Sequence, residues 1–75
     1  MAADARAVAP VAGTVGQVLV RPGDTVAAGQ PLASVEAMKM EMWLTAARDG
    51  TVRAVHARPR DAVEAGMLLV ELEAP

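Results

Sequence analysis

The sequence repeats itself once, without a gap, at an offset of 37 residues. Gly13-Thr14-Val15 falls on Gly50-Thr51-Val52, Arg21-Pro22 on Arg58-Pro59, and Asp24 on Asp61. Val26, Ala28, Gly29, Leu32 and Glu36 fall on Val63, Ala65, Gly66, Leu69 and Glu73. Two copies are too few for a solenoid. They fit one domain built of two halves about a pseudo-two-fold axis. A chain of 75 residues leaves room for one domain only. The position 37 residues after Lys39 would be 76, and the position 37 before it is 2. The dyad therefore predicts Lys39 at the end of the molecule opposite both chain termini.

No stretch sustains a 3.6-residue apolar period, and Gly or Pro punctuates the chain every eight residues or so. This pattern predicts short strands near 7–12, 14–20, 25–27, 31–37, 40–46, 51–57, 62–64 and 67–73. The expected fold is all-β, a sandwich or small barrel. Residues 1–8 read as a short flexible tail and 9–73 as the domain. Val15-x-x-Val18 breaks strict alternation, and Val52-x-x-Val55 breaks it at the same place. A β-bulge in each copy would return both valines to one face. Arg21-Pro22-Gly23-Asp24 predicts a type II turn, because Gly accepts positive φ at the third position. Arg60 stands there in the second copy, so Arg58-Pro59-Arg60-Asp61 should be type I or strained.

Composition excludes several functions. The net charge is −2, with one Trp and no Phe or Tyr, which gives neither a basic face nor a stacking platform for nucleic acid. No apolar run suits a signal or a membrane span, so a cytoplasmic, membrane-free protein is expected. His56 is the only histidine and cysteine is absent. A metal site is not expected, nor is an enzyme in its own right, since no nucleophile and base are paired. His56 reads as a surface residue.

Of seven basic residues only Lys39 is a lysine. Only a primary amine can be acylated, and Arg cannot replace it. Lys39 lies in Glu36-Ala37-Met38-Lys39-Met40-Glu41, between two strand-like runs and between the two repeats. A two-residue turn at Met38-Lys39 would expose the side chain at a hairpin tip. Neither residue favours a primed turn, and such local rule-breaking is expected at functional sites.

This motif resembles the attachment motif of the biotinyl domain family, within the biotin/lipoyl attachment family. The resemblance extends through Ala9-Pro10-x-x-Gly13-Thr14-Val15, Pro22-Gly23-Asp24-Thr25-Val26, Asp49-Gly50-Thr51-Val52 and Gly66-x-x-Leu69. The chain departs from the family at Arg60, where Gly is usual, and at Ala46-Ala47-Arg48, where Pro is usual. It also departs at Met42-Trp43, where polar residues are common. Its length leaves no room for the protruding loop of some bacterial carriers.

The resemblance implies a flattened barrel-sandwich of two four-stranded antiparallel sheets with pseudo-two-fold symmetry. It implies covalent biotin on Lys39, installed by a biotin protein ligase. The biotin would shuttle carboxylate from a biotin carboxylase to a carboxyltransferase, on a non-catalytic domain that is monomeric when isolated. Met38 and Met40 would serve recognition or the biotin itself, since Met is adaptable at such surfaces. Ala37 completes the motif. Glu36 and Glu41 either solvate the hairpin or help the ligase read it. Trp43 should be at least partly exposed if Met42 and Leu44 face the core. The alternatives are a lipoyl-type swinging arm, which the methionines beside Lys39 disfavour, and an unmodified structural module that would not need Lys39.

Overall fold

A computed structural model describes residues 5–73 of the chain, in eight strands. They are β1 (Ala5–Val8), β2 (Gly13–Val18), β3 (Thr25–Val26), β4 (Pro31–Ala37), β5 (Met40–Thr45), β6 (Gly50–Val55), β7 (Ala62–Val63) and β8 (Leu68–Glu73). They form two four-stranded antiparallel sheets in the orders β1-β8-β6-β3 and β5-β4-β2-β7. Moving 37 residues along the chain turns the first order into the second, strand for strand. Among the described residues no helix is long and apolar enough to cross a membrane.

The core lies between the sheets and is itself doubled. Val15 and Val52, Leu32 and Leu69, Val26 and Val63, and Val35 and Leu72 are buried pairs at the repeat offset. Both bulges occur where alternation breaks: the register shifts between Val15 and Val18, and between Val52 and Ala54. Val18 and Val55 consequently pack against the core beside Val15 and Val52.

The loop bonds cross-link the halves in the same doubled way. The amide of Gly23 donates to the carbonyl of Val52, and that of Arg60 to the carbonyl of Val15, both at 2.8 Å. Val52 in turn donates to the carbonyl of Asp24 and Val15 to that of Asp61, again at 2.8 Å. Each Arg-Pro turn is thus pinned to the opposite half. The second turn does not adopt the type I form: Arg60 has φ 76°, close to the 96° of Gly23, so the strained alternative is the one that occurs. The bonds to Val15 require the same backbone from an L residue, which resists it.

One strand differs from expectation. Residues 9–12 were expected to continue β1, yet that strand occupies Ala5–Val8, residues assigned to the tail. Ala9 instead exchanges hydrogen bonds with the turn at Gly66 and Met67, as Ala46 does with Gly29 and Gln30. Residues 1–4 of the expected tail lie outside the described residues.

Candidate functional site

β4 and β5 are joined by two residues only. Ala37 and Met40 are register partners, and Met38 and Lys39 between them have φ 53° and 67°. Positive φ at both central positions is the geometry of a type I′ turn, whose twist matches that of the flanking strands. Asn-Gly would form it without strain. Here Met and Lys pay a conformational cost of about 1–2 kcal/mol each. The surrounding hairpin over-determines the turn: Glu36 faces Glu41, Val35 faces Met42 and Ser34 faces Trp43.

Lys39 is exposed at the tip, beside Met38 at 93% and Met40 at 63% exposure. Three adjacent side chains, two of them apolar, therefore stand in water at one end of the domain. Ala37 is half-buried, with its Cβ 3.2 Å from where a Cβ of Gly13 would be. Glu36 and Glu41 are exposed on one outer face, below the turn. The structure brings every residue of the predicted motif together at one hairpin.

The turn lies at the end of β5 away from the last described residues. Gly50 lies against the carbonyl of Glu73, near the C-terminus. Residues 46–49 connect it directly to Thr45, the end of β5 remote from Met40. The shortness of that link keeps the last described residues near the end of β5 remote from Lys39.

Two features lay beyond the sequence reading. Ser34 is wholly buried, and its hydroxyl donates to Glu41 Oε2 at 2.8 Å while accepting the Gln17 amide at 3.0 Å. Gly16 makes room for this group: a Cβ there would meet Ser34 Oγ at 2.7 Å. A polar residue inside the apolar run of β4, and a Gly where the repeat has Arg53, were the available signals. Trp43 is 41% exposed on the same face, as alternation predicted.

His56 lies just past the end of β6, exposed, with Nε2 2.9 Å from Glu71 Oε1. A hollow of about 430 Å³ between β3 and β6, lined by Thr25, Gln30, Asp49 and Thr51 among others, opens at the end remote from Lys39. It is wide and shallow, and the hairpin, with its concentration of exposed amine and apolar groups, is the better candidate site. Among the described residues no cluster of His, Asp and Glu could hold a metal ion.

Comparison with known proteins adds the following. The profile of the family described as "Biotin-requiring enzyme" matches residues 6–72. The chain is 64% identical over 33 residues to the methylmalonyl-CoA carboxyltransferase 1.3S subunit of Propionibacterium freudenreichii subsp. shermanii, covering 44% of this chain and 27% of that protein. It is 55% identical over 38 residues to the biotin carboxyl carrier protein of Streptococcus mutans serotype c, covering 51% of this chain and 29% of that protein. These alignments span less than a third of either relative. The structure superimposes on a single-chain, multi-domain long-chain acyl-CoA carboxylase with a TM-score of 0.87 and 30% identity, over 97% of this chain and 7% of that one. It superimposes on the Kluyveromyces lactis urea carboxylase with a TM-score of 0.85 and 30% identity, over 92% of this chain and 6% of that one.

Proposed function

The chain belongs to the biotin-requiring enzyme family, and we propose from that premise that it is a biotin carboxyl carrier domain whose Lys39 bears biotin as an amide. The observation that carries this reading is an exposed lysine held in a strained two-residue turn. Its relatives in sequence include a biotin carboxyl carrier protein and a carboxyltransferase 1.3S subunit. They favour biotin over lipoate, and neither favours a module that stays unmodified.

The residues fit an amide-linked group. The turn lifts the Lys39 amine clear of the sheets, where a biotin protein ligase can reach it from several directions. In attachment the Lys39 nitrogen bonds to the activated carboxyl carbon of biotin, gives up a proton and releases the activating group. Bound biotin supplies a ureido nitrogen that takes up and gives away carboxylate. The chain's own contribution is presentation: the turn fixes where the arm begins, and the lysine stem lengthens its reach. Met38 and Met40 offer polarizable contact area on either side of the amine. Glu36, beside the turn, offers a charge for the ligase to read, and Ala37 leaves the base of the turn uncrowded. Carboxylation and transfer then take place on partner biotin carboxylase and carboxyltransferase sites, the domain itself doing no chemistry.

Mass spectrometry after co-expression with a biotin protein ligase tests the proposal. The expected result is a gain of about 226 Da on the peptide containing Lys39. A gain of about 188 Da after incubation with a lipoate ligase, and none with the biotin enzyme, would overturn it.

A further inference from the structure

The hairpin that presents Lys39 has a flaw at its base. Glu36 and Glu41 stand directly opposite each other across β4 and β5, and like charges in that position push a strand pair apart. The turn above them is already strained at two residues. Something local must hold this end of the sheet together.

Ser34 is placed to do so. It sits diagonally across from Glu41 on the outer side of β4, and its hydroxyl joins three strands. It accepts the Gln17 amide from β2 at 3.0 Å and donates to Glu41 Oε2 of β5 at 2.8 Å. A hydrogen bond to a carboxylate is stronger than one between neutral groups, and this one is anchored on a side chain with no exposure to water. Gly16 provides the space. A Cβ at that position would lie 2.7 Å from Ser34 Oγ, and 3.1 and 3.2 Å from Oε2 of Glu36 and Glu41. Both carboxylates thus lean over a residue of β2 that has no side chain.

The repeat shows that the device is not part of the scaffold. The residues 37 positions after Gly16 and Ser34 are Arg53 and Glu71. The second half therefore lacks both the gap and the hydroxyl, and it carries no lysine turn.

We propose that Ser34 is a positioning residue for Lys39. By anchoring the Glu41 carboxylate over Gly16 it offsets the repulsion from Glu36, and so keeps the hairpin paired up to Ala37 and Met40 and the turn closed beneath the amine. Ser34 acts through Glu41 and touches neither Lys39 nor anything attached to it. Its value for acylation rests on the reading of Lys39 given above, but its effect on the turn does not.

The test is amide hydrogen exchange in the unmodified protein, followed by NMR. Ser34→Ala removes the hydroxyl, and Gly16→Ala displaces it without altering Ser34. Each should speed exchange at Met40 about tenfold relative to amides of β6 and β8, the scale expected for losing a hydrogen bond to a charged group. In a Glu36→Gln background, where the facing charge is gone, Ser34→Ala should have a clearly smaller effect. Equal acceleration in both sheets would mean simple destabilisation and overturn the proposal. So would an undiminished effect in the Glu36→Gln background. A wild-type chain that the ligase leaves unmodified would overturn the reading of Lys39 while leaving the exchange result to decide the role of Ser34.

Discussion

Arg60 gives its amide hydrogen to the carbonyl of Val15 at 2.8 Å while holding φ at 76°, in the turn position that Gly23 occupies one repeat earlier. The left-handed region costs an L residue about 1–2 kcal/mol. Glycine's extra freedom in the unfolded chain takes back about 0.5–1 kcal/mol. Arg60→Gly should therefore stabilise the domain, by about 0.5–1 kcal/mol, seen as a higher urea midpoint with an unchanged slope. A lower midpoint would show that the Arg60 side chain makes a compensating contact.

Gly13 matters for a different reason. A Cβ there would lie 2.3 Å from the backbone oxygen of Glu36, which cannot move without disturbing β4. Gly13→Ala should cost about 2–3 kcal/mol, as overpacking does elsewhere. The matching clash of Gly50 with the Glu73 oxygen, at 2.5 Å, predicts a similar loss for Gly50→Ala. Denaturant unfolding of both variants checks the equivalence. A loss below about 0.5 kcal/mol at either site would contradict the close approach.

Met38 is held at φ 53° with almost no burial to compensate. Asn tolerates that backbone far better. Met38→Asn should raise stability by about 0.5–1 kcal/mol and slow acylation of Lys39 by the ligase. Thermal unfolding and a ligase time course are the two readouts. Faster unfolding would argue against strain in the turn, and an unaltered time course would remove Met38 from recognition.

Glu71 predicts a pH effect. The hydrogen bond from His56 is the main cause holding its carboxyl below the usual 4.5, helped by the positive charge of His56, Arg53 and Arg6 and opposed by desolvation. A carboxyl depressed in the folded state contributes stability that is complete above about 4.5 and disappears as pH falls through the lower folded value. Glu71→Gln should flatten the stability curve as pH falls from about 5. His56→Ala should bring the Glu71 titration, followed by NMR, back towards 4.5. A titration that stays where it was would remove His56 as the cause.

Sequence periodicity disclosed the scaffold because the scaffold is periodic. The bulges after Val15 and Val52 were legible since two copies broke alternation alike, and one break could have been noise. The turn at Met38-Lys39 was legible from the motif, against the local preferences of both residues. The end of β1 is not legible in the local sequence, because Ala9 to Ala12 are as apolar as a strand, and only the hydrogen bonds of Ala9 to the turn at Gly66 and Met67 show otherwise. The repeat could have corrected this, since β5 ends at Thr45, 37 residues after Val8. The Ser34–Glu41 bond left no such trace. It joins single side chains on neighbouring strands, and no spacing rule connects positions 34 and 41 with Gly16.

The seven pairs of loop hydrogen bonds related by 37 residues, among the described residues, give this domain an uncommon experimental property. Almost every position has a twin in nearly the same surroundings that is excused from the duties of the hairpin. A substitution at Gly13 can be read against Gly50, and one at Val35 against Leu72, inside a single molecule and under one solvent. What the two members of a pair lose in common belongs to architecture. What only the first member loses belongs to Lys39.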